Sequence, residues 1–275
     1  MAFIILNGKI TKKEEAGTEL PAIEDAFLIS QKIWFGFGGI PLFIENIKLL
    51  SRQLDSVNMP LPDELKNIRE LMRLTKRMLN KNRFYRSGYI YFQFFLKENK
   101  INTLVSGKSL NGLDFPSDEK GLLTCFSNQI KYSRNKFNNY AFYNKILWDV
   151  AMNELQGTYY KNTIILNEKD MVCECPYANI FMLNNDKIIT PSPSSGCYID
   201  LLRQIVIEAT KKTGITTMEQ ENITKNDLLE MDEVFIAGES TGINWILGIG
   251  NKRFLHYHSP KIYREINKYL KQKVN

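Results

Sequence analysis

Val172-Cys173-Glu174-Cys175-Pro176-Tyr177-Ala178-Asn179-Ile180-Phe181 is the stretch from which the fold is read, because of what flanks it. Before it, Asn162-Thr163-Ile164-Ile165-Leu166-Asn167 is a short apolar run with the β-branched content of a strand. After it, Lys187-Ile188-Ile189-Thr190-Pro191 reads as another strand, making three or four short strands through Thr190. Gly196-Cys197-Tyr198-Ile199-Asp200-Leu201-Leu202-Arg203 opens a helix predicted from about Tyr198 to Lys212. Met231-Asp232-Glu233-Val234-Phe235-Ile236-Ala237-Gly238 predicts a further strand. Around these, a helix is expected near Tyr143–Gln156. Thr224 is placed to cap a short helix at Asn226–Glu230, and Pro260 to start a terminal helix carrying Ile262, Tyr263, Ile266 and Leu270.

The first half mixes strands with two helices. Ile47, Leu50 and Leu54 recur at helical spacing in Phe43–Val57, as do Leu65, Ile68, Leu71, Met72 and Leu79 in Pro62–Asn80. Gly88-Tyr89-Ile90-Tyr91-Phe92-Gln93-Phe94-Phe95-Leu96 is aromatic and β-rich, with Ile101–Val105 as its antiparallel partner across Glu98-Asn99-Lys100. Core packing is the better account of those aromatics than base stacking, because no basic glycine-rich RNA motif surrounds them. The polar segment Asn111–Glu119 marks the boundary between an N-terminal α+β domain, 1–115, and a C-terminal domain, 119–275.

With 44% hydrophobic and 24% charged residues, the 275-residue chain has the composition of a soluble globular protein. Its net charge of +6 comes from lysines scattered over helices and turns, so it marks a solvated surface and no nucleic-acid footprint. No apolar run is long enough to span a membrane, and Met1–Ile10 lacks the basic leader of a signal peptide. Four cysteines are too few for a disulfide framework at this length, which points to a reducing cytoplasm.

The order and spacing of the segments from about residue 130 to 250 resemble those of the class IV aminotransferases, the fold-type IV pyridoxal phosphate (PLP) enzymes. That group includes branched-chain and D-amino acid aminotransferases and aminodeoxychorismate lyase. The resemblance implies a two-domain α+β fold with a small N-terminal domain, a larger C-terminal domain, an interdomain cleft for a small-molecule ligand, and a homodimer. It also implies a Schiff-base lysine, a carboxylate at the pyridine nitrogen, and a phosphate cup of arginine, hydroxyl and backbone N–H groups. Glu174 and Asn179 match the family's carboxylate and asparagine. The alternative for Glu174 is a solvent-facing strand residue between two inward cysteines.

Other positions depart from the family pattern. A gapless match puts Ala141 where the lysine belongs, leaving Lys136 and Lys145 as candidates displaced along the chain. Leu50 replaces the arginine of the early helix, with Arg52 two positions on, and Lys32 replaces a glutamate. Asp200 replaces the glycine that opens the helix carrying Arg203, and Glu239 replaces a threonine. A carboxylate about 4 Å from a phosphate dianion costs on the order of 4 kcal/mol at an effective dielectric near 20. The sequence therefore predicts a degenerate family member that does not hold PLP in the family's manner and binds another small molecule or a partner. The alternative is an active PLP-dependent aminotransferase or lyase using Lys136 or Lys145, with Glu174, Asn179 and Arg203 around the cofactor.

Two further motifs carry less. Gly238-Glu239-Ser240-Thr241-Gly242 has the spacing of a hydrolase elbow, but Ile243–Gly248 after it reads as a strand where that elbow needs a helix. Cys173, Cys175, His256 and His258 have no spacing that would assemble them, and no metal is predicted.

Overall fold

A computed structural model describes residues 2–18, 27–97 and 100–274. The chain is α+β and divides into two units, Met1–Phe115 with Leu270–Asn275, and Pro116–Tyr269.

The first unit holds β1 (Phe3–Leu6), β2 (Lys9–Lys12), β3 (Phe27–Phe35), α1 (Phe43–Ser56), α2 (Asp63–Lys66), α3 (Ile68–Lys81), β4 (Ser87–Lys97) and β5 (Lys100–Leu110). Its sheet is antiparallel in the order β2-β1-β5-β4-β3. Asn7 and Gly8 both adopt positive φ, the geometry of a two-residue hairpin whose twist matches its strands. Helix α1 buries Phe43, Ile47, Leu50 and Leu54, one stripe at 3.6-residue spacing. The helix expected over Pro62–Asn80 is broken in two. Asn67 leaves helical space (φ −111°, ψ 81°), and its side chain instead accepts the Glu70 N–H at 3.1 Å, restarting the helix as α3. Strand β5 is twice the expected length, pairing from Lys100 to Leu110. The expected turn at Glu98-Asn99 lies outside the described residues.

The second unit contains β6 (Ser117–Lys131), α4 (Ala141–Asn153), β7 (Asn162–Asn167), β8 (Val172–Glu174), β9 (Asn179–Asn184), β10 (Lys187–Pro191), α5 (Leu201–Lys212), β11 (Thr216–Gln220), α6 (Lys225–Leu229), β12 (Glu233–Gly238), β13 (Gly242–Ile249), β14 (Lys252–Arg253) and α7 (Ser259–Gln272). The sheet runs β11-β10-β9-β12-β13-β6-β7-β8, with β14 on β13, and is parallel at β10–β11, β13–β6 and β6–β7. Strands β7, β9 and β12 read as continuous apolar runs because both their faces are covered. One contiguous core joins Ile164, Ile180, Met182, Leu228, Val234 and Ile236. Thr224 caps α6 through a reciprocal box with Asp227. Glu233, fully buried, accepts the backbone N–H groups of Tyr257, His258 and Ser259 at 3.0, 2.8 and 2.7 Å and so answers the N-terminus of α7.

Candidate functional site

Glu174 ends β8, where the chain turns back into β9 through Pro176 and Tyr177. Tyr177 takes a left-handed backbone (φ 61°), an uncommon conformation for a non-glycine residue. Gly238 is required beside this turn, since a Cβ there would lie 2.2 Å from the Tyr177 carbonyl oxygen. Strand β8 is buried on both faces, so the alternation that would send Glu174 to solvent between Cys173 and Cys175 fails. All three residues are inside.

The Glu174 carboxylate is enclosed by three donors. Lys131 Nζ, at the end of β6, lies 2.6 Å from Oε2, in a pair with side chains 2% and 0% exposed. The Tyr198 backbone N–H also donates to Oε2, and Trp148 Nε1 donates to Oε1 at 2.7 Å. The Trp148 indole, itself fully buried, packs between Tyr177 (4.6 Å between ring centroids) and Tyr198 (5.1 Å, edge-on). It is carried on the inward stripe of α4 with Asn144 and Ala151. The Tyr177 hydroxyl donates to Asp149 at 2.6 Å, and burial with that carboxylate nearby pushes the phenol's pKa up. Burial likewise raises the thiols of Cys173, Cys175 and Cys197, which stay protonated and inert.

A second buried cluster adjoins the first through Tyr198. Asp200 is the N-cap of α5, so the helix begins at Leu201, three residues later than expected. Its Oδ1 accepts the Leu202 N–H at 2.8 Å and the Glu239 N–H at 3.0 Å. Asn179 locks this arrangement from β9: its Oδ1 accepts the Asp200 N–H at 3.0 Å while its Nδ2 donates to the Tyr198 carbonyl. Glu239 is also buried. Burial lifts the Asp200 carboxyl from 3.8 to about 6, against the lowering effect of the N–H groups of Leu202 and Glu239.

Between those two values the native state holds a proton that the unfolded chain has released. The stability this contributes is complete below about pH 4 and is lost as pH rises through about 6. Two units correspond to about 3 kcal/mol at most. Asp200→Asn retains an N-cap acceptor and removes the titration. The wild type should therefore lose up to about 3 kcal/mol relative to that variant between about pH 4 and pH 7, read by urea unfolding across pH. Parallel curves would show that the carboxyl is not perturbed.

The structure thus gathers Glu174, Asn179, Asp200 and Glu239. Arg203 is buried and donates to Thr190 Oγ1 (2.9 Å), the Pro191 carbonyl (2.7 Å) and Glu219 (2.8 Å). Ala141 is the first residue of α4. Lys136 is exposed over the Phe137 ring, and Lys145 is an exposed partner of Asp149. In the other unit, Leu50 is buried, Arg52 is exposed and Lys32 lies over the Tyr89 ring at 3.8 Å. Burial, with Lys108 nearby, lowers the Lys32 ammonium to about 8. Cys173 and Cys175 lie in the buried β8 turn, whereas His256 stacks on Trp245. Lys131, Trp148 and Tyr198 are the site residues that sequence reasoning missed. The stripe Asn144, Trp148, Ala151 was the signal available for Trp148.

A mixed two-unit fold with a buried carboxylate at this strand turn, under the N-terminus of the following helix, defines a class before it defines a family. A model of the amino-transferase class IV family matches residues 50–247, and the chain belongs to that family. It is similar to a probable branched-chain-amino-acid aminotransferase of Aquifex aeolicus, 32% identical over 104 residues, which are 38% of this chain and 33% of that relative. An aminodeoxychorismate lyase of Vibrio harveyi is 28% identical over 106 residues, 38% of this chain and 39% of its own. These matches span about a third of the relatives' length. The fold is that of the branched-chain aminotransferase of Thermoproteus uzoniensis solved with norvaline (TM-score 0.83, 19% identity, 99% and 95% of the two chains). It is also that of the Thermobaculum terrenum enzyme in its PLP form (0.84, 17%, 98% and 94%).

Proposed function

We propose that this chain is a class IV aminotransferase-family protein that works without PLP and acts by binding a different small molecule or a partner. One observation carries the reading: the Glu174 carboxylate, the group that would meet a pyridine nitrogen, is already held by Trp148, Lys131 and the Tyr198 N–H, out of solvent. The indole N–H offers that carboxylate the same kind of donor as a protonated pyridine ring. The helix N-terminus that would attract a phosphate is likewise taken by the chain's own Asp200 carboxylate. Among the described residues, Lys131 is the amine beside these groups and is tied to Glu174, whereas Lys136 and Lys145 are exposed. These residues do not fit the cofactor.

A homodimer belongs to the same proposal. It is supported by an exposed apolar stripe on α4, where Tyr143, Ile146 and Val150 are 44%, 77% and 41% accessible. A cytoplasmic location is supported by four cysteines that are all free. Among the described residues, no helix is long and apolar enough to cross a membrane.

The test is to incubate the purified protein with PLP, desalt it, and record its near-ultraviolet and visible absorbance before and after borohydride. No retained imine band is expected. A stoichiometric band that borohydride abolishes would sink the proposal. Peptide mapping of the reduced adduct to Lys136 or Lys145 would then establish the alternative, an active aminotransferase or lyase.

A further inference from the structure

Away from the Glu174 cluster, a cavity of about 350 Å³ opens in the second unit where β13 and the start of β6 meet α7. Asp118, Glu119, Trp245, His256, Ser259 and Tyr263 line it, with neither lysine nor arginine among the lining residues, although the chain as a whole carries +6. We infer that this cavity binds a small organic cation, an ammonium group on a short aliphatic frame.

The pocket is built into the sheet. Pairing between β6 and β13 slips at Asn244–Ile246 and again at Ile246–Gly248. The extra residues of the first slip lie on β6 and include Gly121, whose φ is +74°, and a Cβ there would lie 2.5 Å from the Trp245 ring. The indole therefore sits where only a glycine leaves room for it. His256 lies flat against it, 4.3 Å between ring centroids and 4° from parallel, which fixes the plane of the wall.

Charge then selects the occupant. The N-terminus of a fourteen-residue helix ordinarily favours an anion, but the N–H groups at the start of α7 already donate to Glu233. What remains among the lining residues is carboxylate and aromatic side chains. Asp118 spends one oxygen on the Lys120 N–H at 2.8 Å and keeps the other, while Glu119 is exposed at the rim. Aromatic faces beside carboxylates attract ammonium groups through the ring quadrupole and direct charge together. The Trp245 Nε1–H is buried and lacks an acceptor in this structure.

The experiment uses choline as the probe and the indole N–H resonances of nitrogen-labelled protein as the readout, with Trp245→Phe assigning the signal among the three tryptophans. Choline should shift the Trp245 resonance saturably and leave those of Trp34 and Trp148 in place. The uncharged carbon isostere of choline should bind about tenfold more weakly or worse, as should choline to Asp118→Asn/Glu119→Gln. Three results would each overturn the inference. One is no shift up to about 100 mM choline, well beyond the range in which weak sites fill. Another is equal binding of the isostere, which would make the cavity merely apolar. The third is unchanged affinity in the double variant.

Discussion

Lys131→Met is expected to destabilise the protein by about 3–5 kcal/mol, measured by urea or thermal unfolding. The reason is the surroundings of Glu174. With the ammonium gone, a carboxylate at 0% exposure keeps only the neutral donors Trp148 Nε1 and the Tyr198 N–H. An uncompensated buried charge costs far more than the pair contributes, because desolvation of both ions offsets most of their attraction. The double variant Lys131→Met/Glu174→Gln should therefore recover most of the loss, since glutamine still offers an oxygen to the indole and the backbone. The pair is expected to behave unlike Lys145–Asp149 or Arg73–Glu70, whose exposed partners contribute little because water and salt screen them. A cost below about 1 kcal/mol for the single variant would mean that the pair is solvated in solution.

Trp148→Ala is the second large effect, about 3–5 kcal/mol from lost burial and the cavity left between Tyr177 and Tyr198. It also strips Glu174 Oε1 of its one side-chain donor among the described residues. The vacated space has the shape of an indole and presents a carboxylate acceptor, so free indole should rescue the variant and leave the wild type unmoved. At ten times its dissociation constant, indole returns about 1.4 kcal/mol, visible as a concentration-dependent rise in the unfolding midpoint. Trp148→Phe separates the two contributions: it fills most of the space and leaves the carboxylate oxygen short of a donor, for about 1–3 kcal/mol. Absence of rescue, with a full loss in the alanine variant, would indicate that the site collapses on itself when the ring is removed.

The parts of the fold that could be read in advance are those written in local pattern. The β7 run Asn162–Asn167, the Thr224 cap and the α1 stripe each state their structure within a dozen residues. What escaped was decided at a distance. Lys131 meets a carboxylate 43 residues away and Trp148 meets the same group across 26, and neither periodicity nor propensity encodes such a pairing. A lysine at a strand end is read as solvated by default, and only the closed surroundings of Glu174 make it internal. Asp200 was legible as a carboxylate that repels phosphate. That it caps α5 and takes the N–H groups of Leu202 and Glu239 depends on β12 arriving beside it. The break at Asn67 is a local competition, in which a short polar side chain satisfies the helix N-terminus better than the helix satisfies the asparagine.

The division of the chain has a consequence for how the protein is made. The first unit is completed by Leu270–Asn275, with Val274 packed against Gly39 and Lys273 paired with Glu45 at 3.0 Å. Everything between Phe115 and Leu270 belongs to the other unit. At about 5–20 residues per second, a ribosome takes on the order of ten seconds or more to cross that interval. Through that time the nascent N-terminal unit waits without its closing segment, and Gly39 and Glu45 stay without their partners Val274 and Lys273 until that segment is made. The unit translated first is thus finished only after the other unit has been made.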